Sequence, residues 1–526
     1  MDKTRSVDGF VEASPADAEG HKIQRLSWVF KWKSTDDGPT ESARLVYSYN
    51  AANDSFDEFN FSSVAKPLHW RAMLHLGLRD GAEAVRRDIV NAHQSTRFGP
   101  DAPPCFTYCP PGLHYKASDG SGDGLLRWLN MLNGMPPVGR AFSSDLAAVL
   151  KQLEGGTNRS LLTDDFVWHW QQSPDVYINV AVIVDDLLVV YKGGQSVLDK
   201  FDALLRTRWD IKKGALHGFL NMEFWPSGDG RTVMMCMSVR LAEVLHEHMP
   251  DELDRSKYPP TPHHPRSKSL ALGDGSYDPA LSQQAHRLCA QLIFMVVNCY
   301  FSAQHAVFEA ARYTSKPTEL YHECLKHTLR HMYGARFHGL VLGGASHKSV
   351  VSVTLVGAHA DAGHAQPGPS VGGHSLEIGD VTVGAVSGRH HATTLGTTDS
   401  ETYEVSRAVA ACLALRAFVH ELGYPQLQPS GVKCDNDGTV LKSASAASDK
   451  RSLYMRRRVS FISDAQKSEE SVVEPIASAE NRADVLTKPL AAPVFAALRD
   501  MLHNITEGVK EFVNKLYTKD HRDQHN

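Results

Sequence analysis

Two adjacent carboxylates, Asp185 and Asp186, stand between two short β-branched apolar runs in residues 177–191 (YINVAVIVDDLLVVY). Like charges held side by side repel, and burying each costs several kcal/mol unless something compensates. On an exposed turn the pair would be ordinary, because Asp is common there. With strand-type sequence on both sides it fits a divalent-cation site, and hard carboxylate oxygens suit magnesium. Holding two cations requires a third carboxylate. Asp88, at the end of a strand-like stretch in residues 86–92 (RRDIVNA), is the candidate.

The elements that must position these acids follow from periodicity. Val and Ile dominate residues 177–191, so a buried hairpin with the acids at its turn fits better than a helix. Residues 28–33 (WVFKWK) and 42–46 (SARLV) read as a hairpin across the Asp-Asp-Gly signal at 36–38. Helical spacing runs over 67–86 and 140–153, and the Pro/Gly-rich residues 99–124 read as loop. A second hairpin joins 219–224 to 232–237, residues 258–268 form a linker, and helical periodicity returns over 282–333. Strand patterns at 350–355, 381–386 and 431–434 surround an amphipathic helix at 400–422. They give an α/β or α+β unit of about 145 residues, closed by a helix over 500–517. Residues 1–24 are polar and read as a flexible, frayed leader.

A chain of 526 residues implies roughly three domains, and 42% hydrophobic content is enough to build their cores, which excludes a wholly disordered protein. The longest apolar run, 291–301, is shorter than the roughly 20 residues a membrane span requires. No signal peptide is visible, and the eight cysteines lack a zinc-ligand arrangement, so free thiols in a reducing compartment are expected. The net charge of −5 gives no global attraction to nucleic acid, so any such binding must come from a local groove. The 27 histidines are dispersed and read mostly as surface residues.

Six collinear segments resemble the reverse transcriptase and RNase H portion of copia-type retrotransposon Pol polyproteins. They are WVFKWKSTDDG with SARLV, RRDIVNAH at 86–93, LNGMPPVGRAF at 132–142, VIVDDLLVVY at 182–191, FLNMEFWPSGDG at 219–230, and the helical stretch 315–342. Four further strings extend the resemblance: AHADAGH at 358–364, TTDSETYE at 397–404, CDND at 434–437 and RADVLTKPL at 482–490. The resemblance implies an α+β fold, a right-hand polymerase of fingers, palm and thumb followed by an RNase H-like mixed-sheet domain. Its implied divisions are fingers and palm over 25–245, thumb and connection over 246–348, the RNase H-like domain over 349–495, and a C-terminal helix and tail over 496–526.

It also implies two catalytic metal sites, Asp88, Asp185 and Asp186 in the first and Asp361, Glu401, Asp435 and Asp484 in the second. Each would hold two Mg2+ ions, with Mn2+ as the alternative, about 3.5–4 Å apart for in-line displacement at phosphorus. Lys31, Lys33, Arg44, His93 and Arg140 become nucleotide-binding candidates, and Arg451, Arg456, Arg457 and Arg458 nucleic-acid-binding ones. The implied partners are an RNA template, a DNA primer, an RNA–DNA hybrid and deoxynucleoside triphosphates, with no membrane and with integrase and capsid parts upstream or absent. The implied location is a cytoplasmic particle or the nucleus.

Several positions depart from the family pattern. Ile183 replaces an aromatic residue, His93 an aromatic sugar gate and Pro137 a glutamine. Arg457 and Arg458 replace a Tyr-His pair, and in the first nuclease strand His359 replaces an Asp and Ala362 a Trp. Two other readings therefore stand beside a working polymerase and nuclease: a decayed nucleic-acid-binding remnant, and a metal-dependent RNase H carried on an inactive polymerase half.

Overall fold

The computed structural model describes residues 9–35, 38–48, 64–98, 104–110, 124–135, 137–227, 230–252, 257–344, 355–363, 369–445 and 450–523. The fold is α+β. A six-stranded, fully antiparallel sheet runs in the order Ile211–Ala215, Glu83–Ile89, Asp186–Lys192, Val176–Ile183, Val167–Ser173, Thr157–Ser160. Its central strands are apolar on both faces because both are covered. Leu187, Val189 and Tyr191 pack under the helices Val138–Leu150 and Gln195–Arg206, whereas Leu188 and Val190 pack on the helix Pro67–Arg79.

A five-stranded mixed sheet follows, ordered Val381–Arg389, Val371–Ile378, Val356–Gly363, Ser430–Cys434, Ser471–Pro475. Its first three strands are antiparallel and its last two parallel to the strand beside them. Between the large sheets lie a small sheet (Glu223–Pro226, Thr232–Cys236, Leu340–Gly343) and the helices Ser238–His248, Pro279–Asn298, Gln304–Ala311 and Glu319–Gly334. One apolar core runs through all of these, from Ala65 to Leu516.

The seam between the two large sheets is hydrogen-bonded as well as apolar. Glu421, at the end of the helix Thr397–Glu421, accepts from the Leu162 and Thr163 amides and the Thr163 hydroxyl at 2.5–3.0 Å. Arg71, buried in the Pro67–Arg79 helix, donates to the carbonyls of Val383, Val297 and Asn298, tying three elements at one guanidinium.

The hairpins at 28–46 and 177–191 form as their sequence patterns predict. Other expectations are corrected. The frayed leader contains a strand, Phe10–Ala13, paired to Leu125–Trp128 through the apolar contact of Phe10 with Trp128. The 99–124 loop contains the strand Cys105–Tyr108, whose Phe106 and Thr107 are buried. The strand expected at 350–355 falls on residues that, except for Leu355, lie outside those described, and Val356–Gly363 follows directly.

Only the second half of the helix at 400–422 is amphipathic, with Ala410, Ala414, Ala417 and His420 exposed; its first turns are buried all round, from Asp399 to Ser406, by the sheet and by the helix Arg456–Lys467. The single closing helix is two, Ala492–Leu502 and Glu507–Asp523. They break at Asn504, which takes a left-handed φ of 62° and turns its amide onto Val341 and Thr382. The histidines are often buried, among them His69, His75, His169, His305, His331, His359, His374, His390 and His503. All eight cysteines are free thiols. Among the described residues, no helix is long and apolar enough to cross a membrane.

Candidate active sites

In the six-stranded sheet the hairpin register sets Ile183 opposite Asp186, leaving Val184 and Asp185 as a two-residue turn. Val184 has φ of 58°, a strained conformation for a β-branched residue. Asp186 lies directly opposite Asp88, and Asp88 opposite Lys212 on the next strand. Residues so paired share a face with Cβ atoms about 4.5–5.5 Å apart. Arg86, two residues before Asp88, shares that face as well.

The Arg86 guanidinium therefore reaches Asp186 Oδ1 from both Nε and Nη2 at 2.7 Å, while Nη1 donates to the Gly218 carbonyl at 3.3 Å. Lys212 Nζ stands 3.6 Å from Asp88. Burial raises the Asp186 carboxyl above its usual range, as do Asp185 and Asp88, and Arg86 opposes that rise. On the other face Arg87 is buried and makes a two-pronged pair with Asp202 at 2.7 and 3.1 Å, which anchors the strand. Alternate residues of one strand thus serve different ends, and Arg86 was missed although the two-residue period was legible.

The second set converges more tightly. The parallel register pairs Ala360 with Cys434, which carries the next residues, Asp361 and Asp435, to neighbouring strand ends. The turn of 3₁₀ helix Arg482–Leu486 brings Asp484, and the first turns of Thr397–Glu421 bring Glu401. Carboxylate oxygens of Asp361, Asp435 and Asp484 all lie within 4.8 Å of one another, and Glu401 forms an equally close group with Cys434 and Asp435. Among the described residues these are the only such groups, so Asp88, Asp185 and Asp186 do not converge to that extent.

Burial, together with Asp361 and Asp435, pushes Glu401 up to about 9. Burial and Asp361 push Asp484 up to about 7, against the pull of Lys488. Asp361 is raised by burial and by Asp435. Asp435 is oriented by Ser478 Oγ at 2.6 Å and Asn481 Nδ2 at 3.2 Å, and Thr487 Oγ1 donates to Asp361. Lys488 is the cluster's cation, 3.0 Å from Asp484 and 3.5 Å from Asp361.

His359 does not enter the cluster; its Nε2 is 2.8 Å from buried Glu377, which Arg482 also approaches at 3.5 Å. A second buried carboxylate, Glu404, accepts from His374 Nδ1, His390 Nε2 and Arg407 at 2.7–2.9 Å. A Cβ at Gly372 would collide with Glu404 and His390, so that position must be glycine. Sequence reading missed both networks.

The remaining candidates scatter. Arg44 is exposed on the Gly38–Tyr47 strand, and the side chains of Lys31 and Lys33 lie outside the described residues. His93 is half-buried with Nδ1 3.0 Å from Asn133 Oδ1, and Arg140 is exposed on the helix Val138–Leu150. Arg456 and Arg457 are exposed, whereas the side chain of Arg451 lies outside the described residues. Arg458 turns inward, donating to Ser406 at 2.7 Å and stacking 3.4 Å over the Tyr403 ring.

No protein-family model matches the chain. It is 24% identical over 483 residues to the retrovirus-related Pol polyprotein from transposon RE2 of Arabidopsis thaliana, covering 89% of this chain and 31% of that protein. It is 22% identical over 493 residues to the corresponding polyprotein from transposon TNT 1-94 of Nicotiana tabacum, covering 92% and 36%. The chain spans about a third of the length of these relatives. The resemblance to retrotransposon Pol polyproteins read from the motifs is borne out by them. Similar solved structures include a foamy viral protease-reverse transcriptase in complex with dsDNA (11% identity, TM-score 0.48, 91% of this chain and 81% of that one). Another is RNase H1 from Halobacterium salinarum (20% identity, TM-score 0.21, 25% and 93%).

Proposed function

We propose that this chain cleaves the RNA strand of an RNA–DNA hybrid at the acids of the five-stranded sheet. The observation that carries this reading is the convergence of Asp361, Asp435 and Asp484, with Glu401 beside them, around a single lysine. Four hard carboxylates with formal charge well in excess of one ammonium fit divalent cations, Mg2+ or Mn2+. Bound there, two such ions would supply the positive charge that stabilises an in-line displacement at phosphorus. The chain's own residues orient the donors: Ser478 and Asn481 fix Asp435, and Thr487 fixes Asp361. The 2′-hydroxyl is the feature by which RNA is told from DNA.

RNA-directed DNA synthesis is the second reading, favoured by Asp88 lying opposite Asp186 with Asp185 at the turn. Template RNA, DNA primer and deoxynucleoside triphosphates are the partners it requires, with Lys31, Lys33, Arg44, His93 and Arg140 near the nucleotide. As they stand, the three acids do not fit a two-cation site, because Arg86 holds Asp186. The domain divisions at 245, 348 and 495 belong to the same proposal.

Cleavage of an end-labelled RNA–DNA hybrid in Mg2+ or Mn2+ tests it. Asp435→Asn loses at least about a hundredfold, the scale of removing one preorganised charge, while Asp185→Asn keeps its rate. Cleavage that survives Asp435→Asn overturns the proposal.

A further inference from the structure

A cavity of 340 Å³ opens where the coil around residues 262–270 and the helices Gln304–Ala311 and Glu319–Gly334 meet the five-stranded sheet. Lys268, Arg389 and Lys488 line it as cations. Its one lining acid, Glu309, is already shared between Arg312 at 2.9 Å and Arg389 at 3.3 Å. His263 Nε2 and His305 Nδ1 meet at 2.9 Å in the wall. Burial holds these imidazoles down near 3 and 4, so they contribute polarity without charge.

Two residues join the cavity to the acid cluster, although none of the four acids lines it. Thr487, which donates to Asp361, and Lys488, which bridges Asp361 and Asp484, also line it. The Lys488 side chain is 40% exposed, whereas Asp361 is 2% exposed. An ammonium on a flexible four-carbon stem can exchange one anionic partner for another, while the buried acids cannot follow it.

We infer that this cavity binds a backbone phosphate of the polynucleotide and that Lys488 couples its occupancy to cation binding. The inference rests on the nuclease reading above. Without nucleic acid the ammonium pairs with Asp361 and Asp484. A phosphodiester beside Lys268 and Arg389 draws it away and leaves the acids to divalent cations. By linkage, hybrid and cation then each tighten the binding of the other by the same factor.

The test is Mn2+ titration of the full chain, followed by electron paramagnetic resonance of the free ion, with and without an uncleavable 2′-O-methyl-RNA–DNA hybrid. Asp435→Asn identifies which bound Mn2+ belongs to the cluster. In the unmodified chain the hybrid tightens cluster Mn2+ by about tenfold, within the usual range of such couplings. Lys488→Met binds Mn2+ more tightly without hybrid and loses the coupling. Lys268→Met, which leaves the acids untouched, weakens hybrid binding measured in EDTA. Coupling that persists in Lys488→Met, or hybrid affinity unchanged in Lys268→Met, overturns the inference while leaving the nuclease reading intact. Absence of any Mn2+ signal sensitive to Asp435→Asn defeats the nuclease reading itself.

Discussion

The two acid clusters sit on similar mounts and differ in how the protein balances their charge. On the six-stranded sheet three carboxylates face two cations, Arg86 and Lys212, a formal balance of minus one. On the five-stranded sheet four carboxylates face Lys488, a balance of minus three. The first cluster is largely satisfied by the protein itself. In the second, burial first and the neighbouring carboxylates after it favour the protonated acids, which is why Glu401 lies near 9 and Asp484 near 7. A cluster left short of positive charge and built of hard oxygens is the one prepared for divalent cations.

Each mount rests on a buried polar pin, Arg87–Asp202 beneath the first and Glu404 with Arg407, His374 and His390 beneath the second. Arg87→Met leaves buried Asp202 only Lys213, 2.9 Å away, and Glu404→Ala leaves His374, His390 and Arg407 without their shared acceptor. Arg87→Met and, through loss of the carboxylate, Glu404→Ala should each lower stability by about 3–5 kcal/mol in urea unfolding. A cost confined to one of them would show that only one site is rigidly mounted.

Acid tests whether the mounts are separable. Burial holds His75, His331 and His503 near 3 and His305 near 4. Below the ordinary value of about 6.5 the unfolded chain protonates these groups and the folded one does not, so stability present above that pH is lost as pH falls. The expected loss is at least about 1.4 kcal/mol per pH unit between pH 6.5 and 4. These residues lie in the body joining the two sites, so both should fail together in denaturation curves at pH 7 and pH 5. Loss of one signal before the other would divide the molecule.

Arg86→Gln should narrow the difference between the clusters. Removing the guanidinium from Asp186 should strengthen Mn2+ binding on the six-stranded sheet by about tenfold, the order expected for one nearby charge of partial exposure. Unchanged binding would mean that the Asp186 pair is not what separates the sites. Lys212→Ala should do far less: its side chain is 71% exposed at 3.6 Å from Asp88, and such pairs contribute under about 1 kcal/mol. Calorimetric Mn2+ titration resolves both variants.

Local sequence made the Asp185–Asp186 hairpin legible, because apolar β-branched runs flank the acids and repeat with the period of a strand. Asp361, Glu401, Asp435 and Asp484 come from four separated segments, and only the ordered resemblance joined them. No local pattern could choose between His359 and Asp361, since a two-residue period places both on one face. The parallel register of Ala360 with Cys434 makes the choice by setting Asp361 level with Asp435. The strand Val371–Ile378 escaped notice because Gly372 and Gly373 look like a turn, while the structure needs a glycine beside Glu404. The buried histidines were misread for a related reason: the Glu404 partners lie 30 and 14 residues away.

The most direct measurement is anomalous scattering from crystals of the full chain soaked in Mn2+. The account predicts the strongest peaks among Asp361, Asp435 and Asp484, with weaker or no density at Asp88 and Asp185. Strong Mn2+ peaks at Asp88 and Asp185 with none beside Asp435 would contradict it.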